Sequence, residues 1–238
     1  MTKTIVAMFG LGILLAGATG ADAAEASVSV DVASAYVFRG ATFNDGAVLQ
    51  PGLEVSGLPI DLGVWGNLDL DDYDGAVEDG QFSEIDIYGS YSLPIESEDV
   101  EVSVGYTEYV YPSAGGDADR EVSLSAGLAL PLAPSVTASY GVDGGIDKDL
   151  YVEAGVSHGV EVSEDLSVEG GATMAFLDDD DGESGLSNFT VSLSATYKFL
   201  TAGVTYVGRI DDDVLADVED GGAYDTEVYG TIGISHAF

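Results

Sequence analysis

Ile60-Asp61-Leu62-Gly63-Val64-Trp65-Gly66-Asn67-Leu68-Asp69-Leu70 sets an apolar residue or glycine at every even position and a polar, small or amphipathic one at every odd position. A repeat of two is the period of an extended strand, whose side chains alternate between faces; a helix would repeat near 3.6. The stretch therefore reads as a strand with one oily face and one wet face.

The same rule runs outward in both directions. Before it stand Val28, Val30, Val32, Ser34, Tyr36 and Phe38 on one face, then Ala47, Leu49, Pro51, Leu53 and Val55. After it, alternating faces run over Ile85 to Leu93, Val100 to Tyr106, Val122 to Leu130, Val136 to Val142 and Leu150 to Val156. They continue over Leu166 to Phe176, Phe189 to Phe199, Ala202 to Ile210 and Val228 to Phe238. The count is twelve. Strands of about nine to eleven residues in even number fit a tilted transmembrane barrel. The connections alternate as well. Those near residues 57–59, 94–99, 131–134, 161–165 and 200 are short. Those at 39–46, 71–81, 111–120, 143–149, 177–185 and 211–223 are mostly longer and acidic. Short turns at one end and long loops at the other are what periplasmic turns and extracellular loops require, which puts both termini on the periplasmic side.

Composition supports the reading. The 238 residues hold 32 glycines, 13 tyrosines and no cysteine, which excludes disulfides and thiolate metal sites. Six Lys+Arg face 43 Asp+Glu, a formal charge of −37, and such a surface repels nucleic acid. With 46% hydrophobic residues, the chain has too much apolar surface for disorder. Lys3, the apolar run from Ile5 to Ala18 and Ala21-Asp22-Ala23 form a signal peptide, so residues 1–23 are expected to be removed and 24–238 to form the barrel. Beyond it no apolar run is long enough for a transmembrane helix, which alternating strands do not need. On the apolar face, Tyr91, Tyr197, Phe199 and Phe238 are expected in a periplasmic aromatic belt. Tyr36, Phe38, Tyr106, Phe176 and Phe189 are expected in the opposite belt. The competing fold is a soluble periplasmic sandwich or small barrel, with the apolar face inside.

Two places resemble known outer-membrane proteins. Gly233-Ile234-Ser235-His236-Ala237-Phe238, an alternating strand closing on phenylalanine, resembles the terminal signal read by barrel-assembly machinery. Tyr36-Val37-Phe38-Arg39-Gly40, with Pro51-Gly52-Leu53-Glu54 and Leu62-Gly63-Val64-Trp65-Gly66-Asn67 after it, resembles the TorF-like outer-membrane porin family. That family more often has Ser where Thr42 stands. The resemblance covers roughly residues 30 to 110 and implies a porin-type barrel with poorly defined solutes.

Alternation also says what lines the lumen: Asp31, Arg39, Glu54, Asp61, Asp69, Glu84, Asp86, Glu101, Glu121, Glu153, Glu169, Lys198, Arg209 and Glu227. Acids dominate, and rings of carboxylates concentrate cations and repel anions. The expectation is a narrow, cation-preferring pore for small solutes. The alternative is a plugged barrel of structural or adhesive role, its acids paired with Arg39, Lys198 and Arg209. Arg39 itself reads either as a constriction charge or as half of a salt bridge. The acidic runs Asp71-Asp72-Tyr73-Asp74, Asp178-Asp179-Asp180-Asp181 and Asp211-Asp212-Asp213 could bind Ca²⁺ or simply be solvated; none has EF-hand spacing. An enzyme is disfavoured: His158 and His236, the two histidines, both fall in apolar-face register and leave no inward base. No cofactor is implied. The sequence thus points to an all-β, 12-stranded antiparallel up-and-down transmembrane barrel in the cell outer membrane, in contact with its lipid.

Overall fold

The structure is a computed structural model that describes residues 24–71, 75, 77–97, 99–180 and 182–238. The expected signal peptide lies outside the described residues, as do Asp72, Tyr73, Asp74 and Asp181 of the acidic runs. The strands are β1 (Glu25–Ala33), β2 (Tyr36–Phe38), β3 (Ala41–Asn44), β4 (Val48–Ser56), β5 (Asp61–Asp69), β6 (Phe82–Ser92) and β7 (Val100–Val110). They continue as β8 (Asp119–Leu128), β9 (Ser135–Asp143), β10 (Leu150–Ser163), β11 (Leu166–Asp178), β12 (Ser184–Tyr197), β13 (Leu200–Arg209) and β14 (Val228–Ala237). Two 3-10 turns, Gly144–Ile146 and Val218–Asp220, lie in loops.

Twelve of the strands close into one antiparallel barrel; β2 and β3 form a separate two-stranded hairpin. Each barrel strand pairs with its neighbour in sequence, and β1 completes the ring by pairing with both β4 and β14. Closure satisfies the backbone groups that an open edge would leave bare, which is the condition for crossing hydrocarbon with strands.

The faces are inverted relative to a soluble protein. Leu62, Ile87, Leu124, Leu193 and Ile232 point outward and are each more than half exposed. Their in-register neighbours Asn67, Asp69, Glu84, Asp86, Glu121 and Ser125 are buried inside. Burying one such aliphatic side chain is worth about 1.5–3 kcal/mol, so a water-facing array of them would not persist. A soluble barrel would carry the opposite arrangement. Small inward residues make room for large ones: Gly63 sits opposite Tyr88 across β5 and β6, where any Cβ would overlap the tyrosine ring.

The outward aromatics gather at the two ends. Tyr91, Tyr197, Phe199 and Phe238 are exposed at the short-turn end. Tyr106, Tyr140, Phe176 and Tyr206 are exposed at the long-loop end, with Phe189 packed on Tyr206 at 5.8 Å. Tyr36 and Phe38 do not join them. The first barrel strand ends at Ala33, where the alternation was expected to continue to Phe38. The chain bends at Ser34, whose backbone N–H donates to Gly230 O (2.9 Å) and whose hydroxyl accepts from Gly230 N–H (2.9 Å). From there it turns into the lumen.

Candidate functional site

The lumen feature that decides the site is the β2–β3 hairpin. Its turn is Arg39-Gly40, between the paired residues Phe38 and Ala41. Both turn residues have positive φ, 53° and 86°. This two-residue geometry matches the natural twist of a hairpin and favours glycine. Gly40 is also needed for space: a Cβ there would come within 2.8 Å of Leu215 and 2.9 Å of Asn188.

One side of the hairpin packs on the β5–β7 wall. The Tyr36 ring lies 5.5 Å from Trp65, and its hydroxyl donates to Glu84 Oε2 at 2.8 Å. Phe38 lies 5.9 Å from Tyr109. The other side meets the opposite wall. Val37 and Ala41 pack against the buried cluster of Val207, Leu215 and Tyr224. Thr42 donates its N–H to Ala223 O (2.8 Å) and accepts at Oγ1 from Thr226 N–H (2.9 Å). At the tip, Arg39 Nη2 donates to both Glu121 carboxylate oxygens, at 2.9 and 2.8 Å. Its guanidinium also stacks between Phe38 (4.7 Å) and Tyr151 (4.6 Å). A partly buried, charge-assisted pair of this kind is strong only because its remaining surroundings are aromatic faces that suit a guanidinium. The salt-bridge reading of Arg39 is the one the geometry realises.

The hairpin sits at the long-loop end, where Glu84, Asp86 and Glu121 open their strands. Toward the short-turn end the interior is lined with small hydroxyls. Cross-strand contacts join Ser125 to Thr137 (2.9 Å), Thr173 to Thr190 (2.8 Å) and Thr196 to Thr201 (3.0 Å). Glu54, Asp61, Glu101 and Glu169 are half-buried along this wall, with Asp31, while Glu153 is half-buried at the long-loop end of β10, within electrostatic reach of Arg39. Of the remaining expected lining residues, Lys198 leaves the lumen face, and Glu227 and Arg209 stand at the rim. Lys198 stands in the turn after β12, with φ of 59°, and pairs with Asp165 at 3.6 Å; the strand ends one residue before it. Glu227 is exposed just ahead of β14. Arg209 closes β13 at the rim, 3.8 Å from Asp217 and 5.2 Å from the Tyr224 ring.

Two of the cavities among the described residues lie at the long-loop end of the barrel. The larger, about 760 Å³, lies among Tyr111, Asp117, Asp119, Arg120, Asp143 and Gly144. Arg120 is spent there on Glu108 (3.1 Å) and Asp143. The smaller, about 180 Å³, lies between the hairpin and the wall, among Tyr36, Phe43, Asp69, Val77, Glu84 and Tyr111. Tyr111 borders both. Its hydroxyl donates to Asp119 at 2.8 Å; burial, then that carboxylate, hold it above the usual phenol range, so it stays a neutral donor. Next to the small cavity, Asp86 is fully buried, and neither of its carboxylate oxygens has a protein hydrogen-bond partner. The Tyr109 hydroxyl, on the residue directly across from Asp86, is buried and unpartnered too. Unspent polar capacity of this kind costs stability unless something polar meets it.

The acidic loops are tied by local bonds. Asp211 Oδ1 accepts from Asp213 N–H (3.0 Å), and Asp180 pairs with Lys148 (3.0 Å). Among the described residues no group of three or more His, Asp and Glu is arranged to hold a metal ion.

Residues 17–209 match a family described as a bacterial protein of unknown function, Gcw_chp. The chain belongs to the Gcw_chp family. That match does not carry the TorF-like name, and the finer resemblance stands only on the residues quoted for it. No curated protein matches the chain. Among solved structures, this Gcw_chp chain is similar to the COG4313 outer membrane channel from Pseudomonas putida F1. The TM-score is 0.50 at 9% identity, covering 90% of this chain and 95% of that one. LpxR from Salmonella typhimurium gives a TM-score of 0.46 at 11% identity, covering 87% and 99%. At 9% identity the likeness to that channel bears on the fold alone, an outer-membrane-type barrel.

Proposed function

We propose that this Gcw_chp protein is an outer-membrane channel for passive diffusion of small solutes, with a preference for cations. One observation carries the reading: the cavity left between the hairpin and the wall is lined by the carboxylates of Asp69 and Glu84, and Tyr111 on its border also lines the larger loop-side cavity. The cation nearest this slot, Arg39, is committed to Glu121. Carboxylates held in a low-dielectric wall raise the local cation concentration and exclude anions.

In this reading residues 1–23 direct export, the long loops face the exterior and the termini the periplasm. The outward aliphatic face contacts outer-membrane lipid, and the strand ending at Phe238 engages the barrel-assembly machinery. No cofactor or catalytic step is required. His158 and His236 are exposed and outside the lumen register.

The hairpin also favours a second reading, a structural or adhesive barrel with no conducting path. Reversal potentials in planar bilayers under a potassium chloride gradient separate the two. The expected result is single-channel conductance with a reversal potential displaced toward the potassium equilibrium value, and a clear loss of that displacement in Asp69→Asn/Glu84→Gln. Anion preference would sink the cation reading, and silence in every preparation would favour the structural barrel.

A further inference from the structure

We propose that the β2–β3 hairpin is the selectivity element of the lumen: latched through Arg39 to Glu121, it shuts most of the bore and confines permeation to small cations passing Asp69 and Glu84. This inference rests on the channel reading above.

The hairpin leaves the β1 side of the wall and reaches β5, β6, β7, β8 and β10 on its way to β12 and β13. A ribbon touching both sides of the barrel divides the bore. A dangling surface loop would show no such contacts, and its Tyr36, Val37 and Phe38 would face water at a hydrophobic cost. The contacts are unequal along its length. Arg39 makes a two-pronged bond to one wall residue and stacks on Tyr151, so the tip is pinned at the point farthest from the strands that carry it. The slot that remains, about 180 Å³, corresponds to roughly six waters at about 30 Å³ each. A potassium ion with part of its hydration shell fits that volume, whereas a tetraethylammonium ion would fill nearly all of it and has no shell to shed. Removing the latch lets the tip leave the wall, joins the slot to the rest of the bore and frees the Glu121 carboxylate to face solutes.

The test uses the full chain in planar bilayers, with currents carried by potassium and then by tetraethylammonium. Wild type is expected to pass potassium and exclude tetraethylammonium. Arg39→Gln and Glu121→Gln are each expected to raise potassium conductance several-fold and to admit tetraethylammonium. Because the chain has no cysteine, Ser194→Cys on the lumen face of β12 gives a separate readout in intact cells. Its thiol should be protected from a bulky, membrane-impermeant maleimide in the wild-type background and labelled once Arg39→Gln is added. Folding of each variant is checked by resistance to unfolding in cold detergent. If wild type conducts but the latch variants keep its size cut-off and its protection, the hairpin proposal falls while the channel reading survives. If wild type is silent and the latch variants conduct, the hairpin proposal holds and the constitutively open channel falls. Silence throughout, with Ser194→Cys protected in both backgrounds, overturns the hairpin proposal as well.

Discussion

Leu124→Arg is expected to destabilise the barrel by about 2–4 kcal/mol, measured by reversible urea unfolding in lipid vesicles. Leu124 lies mid-strand on β8, 52% exposed on the outer face, with Val104 and Val122 outward around it. An arginine there must place its guanidinium in hydrocarbon or drag headgroups and water inward. The cost is greatest near the midplane, and the middle of a barrel strand is that depth. The matched control is Glu169→Arg on the lumen face of β11, which is expected to fold with little loss and to shift ion preference instead. Equal tolerance of arginine at both positions would show that hydrocarbon does not touch the outer face.

The second large effect concerns the latch. Glu121→Leu is expected to cost about 3 kcal/mol, the low end of the about 3–5 kcal/mol typical when one partner of a buried pair is removed. The low end applies because Arg39 retains 22% side-chain exposure against 6% for Glu121, so water reaches part of the orphaned guanidinium. Arg39→Met in the same background is expected to recover most of the loss. The apolar pair leaves no stranded charge, and Phe38 and Tyr151 then pack on a thioether. A double-mutant cycle read from unfolding free energies gives the coupling, expected at about 2 kcal/mol or more and well above the scatter of independent sites. Additive single and double effects would mean that Arg39 and Glu121 are not holding each other.

The barrel was legible because its rule is local. Each of the twelve wall strands carries its own period-two pattern, and an apolar run from Val122 to Leu130 needs no knowledge of the rest of the chain. Inward acids such as Asp69, Glu84, Asp86 and Glu121 followed from the same pattern. The hairpin was hidden by that very regularity. Val32, Ser34, Tyr36 and Phe38 keep alternating through the bend at Ser34, so nothing in the period marks where the chain leaves the wall. The signal in the turn was slight: Gly40 suits one of the two positive-φ positions between the short runs Tyr36–Phe38 and Ala41–Asn44, but Arg39 is not a residue that a two-residue hairpin turn favours. Lys198 failed for a related reason. The turn after β12 is so tight that Tyr197-Lys198-Phe199 scans as uninterrupted strand, whereas the positive φ of Lys198 takes it out of register. Pairing across the lumen, such as Arg39 with Glu121 at a separation of 82 residues, has no local trace at all.

Trp65 is the single tryptophan of the chain, and it lies against the Tyr36 ring at the foot of the hairpin. The molecule therefore carries its own optical probe where it is most informative. Indole emission depends on how wet and how crowded the ring is, so its wavelength and quenching track whether the ribbon is seated. No dye or engineered label is needed to follow that motion in real time.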